Sequence, residues 1–181
     1  LMLKPGFITM RGHGFTIVEL LVVIVVIAIL AAITLVTYGG IQTRALNTQT
    51  ISATKEYIKA IDLYVVDNSA YPTQTGACLG TGYSYQGTVG QCGSVASLKE
   101  NVVFNAALAH YLSNKPQPST ENLTISTGNI RAGAYYDFVS PNWARIYYIL
   151  KGQSTDCLPG DSKSVTAGAP DMFCYHAFPP I

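Results

Sequence analysis

The sequence lacks several features that would assign it to a common functional class. It contains no G-x-S-x-G, P-loop or H-E-x-x-H motif, so the familiar signatures of hydrolases, nucleotide-binding enzymes and zinc peptidases are missing. Lysine and arginine form no cluster and the net charge is only +1, which leaves no electrostatic footprint for nucleic acid. The four cysteines include no C-x-x-C pair, so their spacing does not indicate zinc. We therefore expect no enzyme, no cofactor and no nucleic-acid partner.

One long apolar segment stands near the N-terminus. From Phe15 to Val36 the sequence carries a single charge, Glu19. As a helix, these residues would rise about 33 Å, close to the thickness of a bilayer's hydrocarbon core. Lys4 and Arg11 precede the segment, so the positive-inside rule places the N-terminus in the cytoplasm and the rest of the chain outside. An acid in an apolar helix is costly in lipid, which makes Glu19 a candidate functional residue.

Residues 14–23, GFTIVELLVV, resemble the N-terminus of type IV prepilins and type II secretion pseudopilins. The resemblance implies cleavage by a prepilin peptidase between Gly14 and Phe15, and methylation of the new Phe15 amine. It also implies that Glu19 pairs with the Phe15 amine of a neighbouring subunit during assembly. In a low-dielectric site, a carboxylate and an ammonium group relieve each other's desolvation. Removal of Lys4 and Arg11 with the leader would change the net charge from +1 to −1.

The segment departs from the family at two positions. Many members carry a glycine midway through the membrane helix and a proline near its end, where this chain has Ala28 and Val36. We therefore expect the helix to continue where others loosen. The pair Gly39–Gly40 marks either a flexible point or the place where the helix leaves the membrane.

The segment from Ile41 to Asn68 predicts a second, amphipathic half of the same helix, ending before Tyr71-Pro72. Its charged residues lie mostly off one apolar stripe, which comprises Ile51, Thr54, Ile58, Ile61 and Val65. The chain is accordingly expected to divide into a leader (residues 1–14), a transmembrane half-helix (15–36), an amphipathic half-helix (37–69) and a globular head (70–181).

Within the head, residues 73–94 predict a long loop rich in glycine, threonine and serine. The pattern Ser97-Leu98-Lys99-Glu100 fits a capping box, which predicts a helix from there to about Ser113. Its predicted apolar face comprises Leu98, Val102, Ala106, Ala109 and Leu112.

Strands are expected in the second half of the head. Residues 134–139 and 145–150 are rich in β-branched and aromatic side chains and flank a turn at Ser140-Pro141-Asn142-Trp143. Further strands are expected at residues 123–126 and at residues 173–177. The rest of the tail, from Thr155 to Ile181, is expected to be a loop.

The four cysteines all lie on the predicted external side, where disulfide bonds form. Three connectivities are possible. We favour Cys78–Cys92 and Cys157–Cys174, because each pair brackets a loop, with free thiols as the alternative. The second pair also resembles the C-terminal disulfide-bounded loop of type IV pilins.

Weaker signals remain in the head. Asp156, Asp161 and Asp171 are weak calcium candidates, since oxygen ligands on a loop suit that ion, although a solvated acidic loop is the simpler interpretation. His110 and His176 are interpreted as structural. Asn122-Leu123-Thr124 is a glycosylation sequon whose use depends on the host.

Taken together, the resemblance implies an α+β, type IV pilin-like lollipop, with a long N-terminal helix packed on a small antiparallel-sheet head. The implied function is that of a structural subunit in a homo-oligomeric, type IV pilus-like filament. The partners would be the prepilin peptidase, the pilus assembly machinery and the cytoplasmic membrane before assembly, with the head outside and later at the cell surface or in the periplasm. A secretion or competence pseudopilin is the alternative within the family, and an uncleaved single-pass binding protein is the alternative outside it.

Overall fold

The computed structural model describes residues 15–153 and 155–181, apart from the side chains of residues 34–38. By its internal contacts the chain divides into two units, Leu1–Gly40 and Ile41–Ile181. The predicted leader, including Gly14, lies outside the described residues, so its removal stays a prediction.

The first element is the long helix α1 (Ile17–Asn68). Its backbone is helical at Gly39 and Gly40, so the helix does not end there. A glycine costs only about 1 kcal/mol relative to alanine in a helix interior, which is too little to stop a long helix by itself. The actual end is at Ser69, whose φ of 51° lies in the left-handed region. Its amide donates to the carbonyl of Val65 at 2.8 Å, a typical helix-terminating arrangement.

Within the second unit, α1 buries one face and exposes the other. Tyr57, Ala60 and Ile61 are fully buried, and so is Thr54 from the predicted stripe. The other predicted residues of the stripe pack against the core while half-buried: Ile51, Ile58 and Val65. The charged residues predicted to face solvent do so: Lys55, Glu56, Lys59 and Asp62. The amphipathic pattern is therefore confirmed, but the most deeply buried line of the helix runs through Tyr57 and Ala60, which were not in the predicted stripe.

The main sheet of the head has six strands. They are β1 (Ala77–Cys78), β4 (Lys99–Glu100), β7 (Ala134–Ser140), β8 (Trp143–Leu150), β9 (Ser162–Ser164) and β10 (Met172–Ala177). Their spatial order is β4-β1-β7-β8-β10-β9, and every pairing is antiparallel except that of β1 with β4. Two small antiparallel pairs complete the head, β2 (Ser84–Tyr85) with β3 (Thr88–Val89) and β5 (Asn122–Ser126) with β6 (Asn129–Ala132). The predicted α+β class, a long helix packed on an antiparallel-rich sheet, is confirmed.

Alternation along β8 separates the two faces of the sheet. Ala144, Ile146 and Tyr148 are fully buried, whereas the alternating residues Trp143, Arg145 and Tyr147 are half-buried. The buried face forms the core with the helix residues named above. The other face, called here the outer face, carries the odd-numbered residues of β7, β8 and β10, because side chains alternate along a strand.

The helix predicted from Ser97 to about Ser113 is wrong in its start, its end and its buried face. The observed helix is α2 (Val102–Leu108), and its N-cap is Asn101, whose side chain accepts from the amides of Val103 and Phe104 at 3.0 Å each. Lys99 and Glu100 instead form β4, which pairs in parallel with β1. Glu100 therefore cannot serve as the third residue of a capping box that begins at Ser97. The helix buries Phe104 and Leu108, while Val102 is 81% exposed.

The segments predicted as loops also contain short strands. Residues 73–94 include β1, β2 and β3, and the tail includes β9 before β10. β6 was not predicted either. Strands of two to four residues are too short to show an alternating pattern, so the sequence gives no periodic signal for them.

Candidate functional site

The N-terminal end of α1 holds the carboxylate that the sequence singled out. The backbone amide of Thr16 donates to Oε2 of Glu19 at 2.9 Å, and the Thr16 hydroxyl donates to the same oxygen at 2.7 Å. The amide of Glu19 donates back to Oγ1 of Thr16 at 3.2 Å. This reciprocal arrangement is a capping box. It fixes the negative charge at the helix N-terminus, where the helix dipole favours it.

This local role of Thr16 was not predicted from the sequence. The signal was present, because Thr16-Ile17-Val18-Glu19 has the T-x-x-E spacing of a capping box. The same pattern was instead assigned to Ser97–Glu100, where the structure has a strand. Pairing of Glu19 with the Phe15 amine of another subunit is not tested by a single chain and stays a prediction.

The helix beyond Glu19 exposes apolar side chains on all its faces. Between Ile17 and Ile33, the large apolar residues are each at least 48% exposed: Ile17, Val18, Leu20, Leu21, Val22, Val23, Ile24, Val25, Val26, Ile27, Ile29, Leu30 and Ile33. A helix that is hydrophobic all round is normally buried. Among the helices in the described part of the chain, none is long and apolar enough to cross a membrane. Membrane insertion of residues 15–36 stays a prediction.

Two disulfide bonds hold the head, and both join the sequence-local pairs. Cys78 and Cys92 are fully buried, and their Cα atoms lie 6.0 Å apart. Cys157 is half-buried and lies 5.7 Å from the buried Cys174, measured between Cα atoms. The first bond ties β1 to the strand-like segment that follows the β2–β3 hairpin. The second ties β10 to the loop that follows β8.

The three aspartates of the tail do not converge on one point. Asp171 is buried and accepts from the amides of Thr124 and Gly152 at 2.9 Å each, so it ties β5 to the end of β8. Asp156 is exposed. Within residues 15–153 and 155–181, no group of three histidine, cysteine, aspartate or glutamate side chains could hold a metal ion. The geometry therefore gives the calcium hypothesis no support.

Asp161 serves instead as a buried anchor for the disulfide-bounded tail. Its side chain is 2% exposed and lies 2.7 Å from Nδ1 of His176. The hydroxyl of Tyr148 donates to the other carboxylate oxygen at 2.8 Å and accepts from the amide of Leu158 at 2.7 Å. Burial raises the pKa of Tyr148, so its hydroxyl remains a donor. His176 is thus structural, and Cys174 beside it lies in a disulfide bond.

Comparison with known proteins assigns the N-terminal region. Residues 9–35 match the prokaryotic N-terminal methylation motif. The chain is 35% identical over 72 residues to the type IV wide pilus major component PilA4 of Thermus thermophilus, and 36% identical over 63 residues to the type II secretion system core protein G of Klebsiella pneumoniae. The N-terminal region of the chain is thus similar to that of type IV pilins and type II secretion pseudopilins and carries their methylation motif. The matched regions cover 40% and 35% of this chain.

The similarity does not extend over the full length of the related proteins. The chain spans about half the length of the proteins it matches, 55% of the Thermus protein and 45% of the Klebsiella protein. No solved structure matches it. Proteins of the pilin and pseudopilin family are structural rather than enzymatic, and the family in general implies prepilin peptidase processing and filament assembly.

Proposed function

We propose that this chain is a structural subunit of a type IV pilus-like filament, processed as a prepilin and polymerised through its N-terminal helix. The observation that carries the proposal is the stretch from Ile17 to Ile33, which is apolar on every face and begins at a carboxylate held in a capping box. Such a surface is stable only when it is covered by lipid or by other apolar helices.

Processing would create the partner for that carboxylate. Cleavage after Gly14 leaves a new amine on Phe15, one residue before Thr16. Both capping bonds go to Oε2 of Glu19, and Oε1 has no hydrogen-bond partner among the described residues. The second oxygen can therefore accept from the amine of a neighbouring subunit. Such a pair would set the register between helices, because an unpaired charge at this position is strongly unfavourable.

The same helix indicates where the subunit would lie before and after assembly. Before assembly, residues 15–36 would lie in the cytoplasmic membrane with the head outside. During assembly, the helices would exchange lipid contacts for contacts with one another. That exchange loses little hydrophobic free energy, since both surroundings are apolar.

A secretion or competence pseudopilin is the second candidate. It is favoured by the similarity to the type II secretion system core protein G, seen in Klebsiella pneumoniae and also in Escherichia coli at 35% identity over 65 residues. Both candidates share the N-terminal chemistry. They differ in where the mature subunit accumulates, because a pseudopilin is not expected as long surface fibres.

The experiment that tests the proposal is N-terminal peptide mass spectrometry on sheared surface material and, separately, on membranes. We expect a methylated Phe15 terminus in the sheared fraction. Methylated Phe15 confined to membranes would instead favour the pseudopilin. An uncleaved leader in both fractions would contradict both candidates and leave a membrane-anchored binding protein.

A further inference from the structure

The second helix of the chain has an apolar strip on the surface of the head. Val102, Ala106 and Ala109 belong to the apolar face that the sequence predicts, and the structure exposes all three. They lie on one side of the helix, because side chains three or four residues apart are neighbours there. Val103 beside them is 60% exposed. These four residues are called here the α2 strip. Apolar side chains that are exposed together often mark a surface that contacts another molecule.

The end of α1 carries a second exposed apolar surface. Leu63 is 52% exposed and Val66 is 76% exposed. They share one side of the helix, because they are three residues apart. Asp62 lies four residues before Val66, and Asp67 lies four residues after Leu63, so both acids flank the apolar pair. These four residues are called here the α1 patch.

The two surfaces differ in the charge that borders them. Asp62 and Asp67 are the only charged residues of α1 between residues 60 and 68. Lys99 is exposed three residues before the α2 strip begins. The acid next to it, Glu100, is half-buried and accepts from a backbone amide at 3.3 Å, so it is turned into the head. The α1 patch is therefore acidic, and the α2 strip has a basic border.

These bordering charges are not paired within the chain. Neither of the two ion pairs among the described residues includes Lys99, Asp62 or Asp67. Oδ2 of Asp67 accepts from a tyrosine hydroxyl at 2.9 Å, and Oδ1 has no hydrogen-bond partner in the described part of the chain. The imidazole of His176 lies within electrostatic reach of Asp62, but it is bonded to Asp161. Both acids can therefore accept a cation from outside.

We propose that the α2 strip of one copy of this chain docks on the α1 patch of a second copy. Lys99 of the first copy lies opposite Asp62 and Asp67 of the second, while the apolar side chains of the two surfaces remove each other from water. The proposal rests on the proposed filament function and deepens it, because it names the surfaces through which neighbouring heads meet.

Charge favours this pairing over a symmetric one. Two α2 strips face to face would bring two Lys99 ammonium groups together, and two α1 patches would bring four carboxylates together. Like charges in opposition are unfavourable, whereas the mixed pair brings opposite charges together. A contact between two different surfaces can be repeated from copy to copy, which builds an open filament when the rotation does not close a ring.

The contact is expected to be weak by itself. It consists of a few small apolar side chains and exposed charges, each of which contributes little. Subunits gathered through their N-terminal helices would meet at a high local concentration, which makes weak contacts between heads effective. The test therefore uses the full-length protein in fractions from cells that produce it.

The test cross-links two differently tagged full-length chains made in the same cells. One chain carries Val102→Cys and the other carries Val66→Cys. The four native cysteines are paired in disulfide bonds, so a short bis-maleimide reacts with the introduced thiols. Membranes and sheared surface material are treated separately. We expect a cross-linked dimer that carries both tags.

The matched control moves one thiol to the other edge of the sheet. Val165 is also an exposed valine, but it follows the edge strand β9, whereas Val102 follows the opposite edge strand β4. A chain with Val165→Cys in place of Val102→Cys should give about tenfold less mixed dimer with the Val66→Cys chain.

Charge reversal tests the pairing itself. On the Val102→Cys chain, Lys99→Glu should lower the yield of mixed dimer about threefold. Lys55→Glu, at an exposed position of α1 on the same chain, should leave the yield unchanged. Asp62→Lys on the Val66→Cys chain should restore the yield that Lys99→Glu removes. Damage to the fold by either substitution would not be repaired by the other, and circular dichroism checks that each variant is folded.

Several results would overturn the proposal. They are a mixed dimer no more abundant than with Val165→Cys, an equal yield with and without Lys99→Glu, and an equal yield from the Val102→Cys chain alone, which would identify a symmetric contact. Filament formation is judged separately, by methylated Phe15 in sheared material. Sheared fibres without the mixed dimer would refute this interface and leave the filament standing. The mixed dimer in membranes without surface fibres would support the interface and contradict the pilus.

Discussion

Two apolar regions of this chain behave in opposite ways. Between Ile17 and Ile33 the apolar side chains are exposed around the whole helix, whereas between Ala53 and Ile61 only one face is apolar and that face is buried. The large apolar side chains of the first region are each at least 48% exposed, and the buried face of the second is covered by the head. The proposed assembly would use the exposed surface of the first region, whereas the buried face of the second stabilises the chain's own fold.

The largest expected effect comes from the one charge in the first region. Glu19→Ala should abolish surface filaments, because it leaves the proposed Phe15 amine unpaired in an apolar bundle, at a cost of about 3–5 kcal/mol per contact. The measurement is the filament yield in sheared fractions by immunoblot. Glu56→Ala, which removes an exposed acid from the same helix, is the control and should assemble normally. Normal filament yield from Glu19→Ala would contradict the register role.

A matched pair of substitutions addresses the comparison directly. Ile61 is fully buried and Ile27 is 56% exposed, so the same isoleucine-to-alanine change should act on different properties. We expect Ile61→Ala to lower the free energy of unfolding of the head by about 2–5 kcal/mol. Urea denaturation of the full-length protein in detergent, followed by Trp143 fluorescence, measures it.

The partner variant Ile27→Ala should leave that unfolding transition unchanged. It should instead lower the detergent concentration at which isolated filaments dissociate, since in the proposed filament the lost contacts would be between subunits. If Ile27→Ala shifted the head's urea midpoint as much as Ile61→Ala does, the separation of the two regions would be wrong.

Alkaline pH should act on the head and on the part of α1 packed against it, because the buried tyrosines lie there. Burial raises the pKa of Tyr57 to about 12 and raises those of Tyr83 and Tyr136 as well. In the unfolded chain tyrosine ionises with a pKa near 10. Above about pH 10 the unfolded state therefore loses protons that the folded state keeps, and stability falls.

The expected slope is about 1.4 kcal/mol per pH unit for each such tyrosine, with full stability below pH 10. Urea midpoints between pH 8 and pH 11.5 measure it. Between pH 10 and 11.5, Tyr57→Phe should reduce the slope by about 1.4 kcal/mol per pH unit, the contribution of one proton. A flat profile across this range would show that these hydroxyls ionise equally well in the folded head.

The same contrast explains what could be predicted from the sequence. The long helix, its buried stripe, the β7–β8 hairpin and Glu19 were predictable, because each produces a pattern many residues long or a charge in an apolar run. The short strands β1 to β4 and β6 were not, since two to four residues show no alternating pattern, and β1 and β4 also pair with segments far along the chain. The contact between Arg145 and Tyr175 could not be predicted either, because only the register of β8 with β10 brings the two side chains together.

The smallest predicted effect concerns the start of α2, where local sequence was misleading. Both Ser97 and Asn101 are residue types that favour an N-cap, but only the Asn101 side chain accepts from helix amides. Asn101→Ala should lower the free energy of unfolding by about 1 kcal/mol, and Ser97→Ala, at an exposed position, should change it by less than about 0.5 kcal/mol. Urea denaturation in detergent again gives both values. The reverse order would restore the capping box at Ser97 and place the helix start four residues earlier, which would in turn remove β4 from the edge of the sheet.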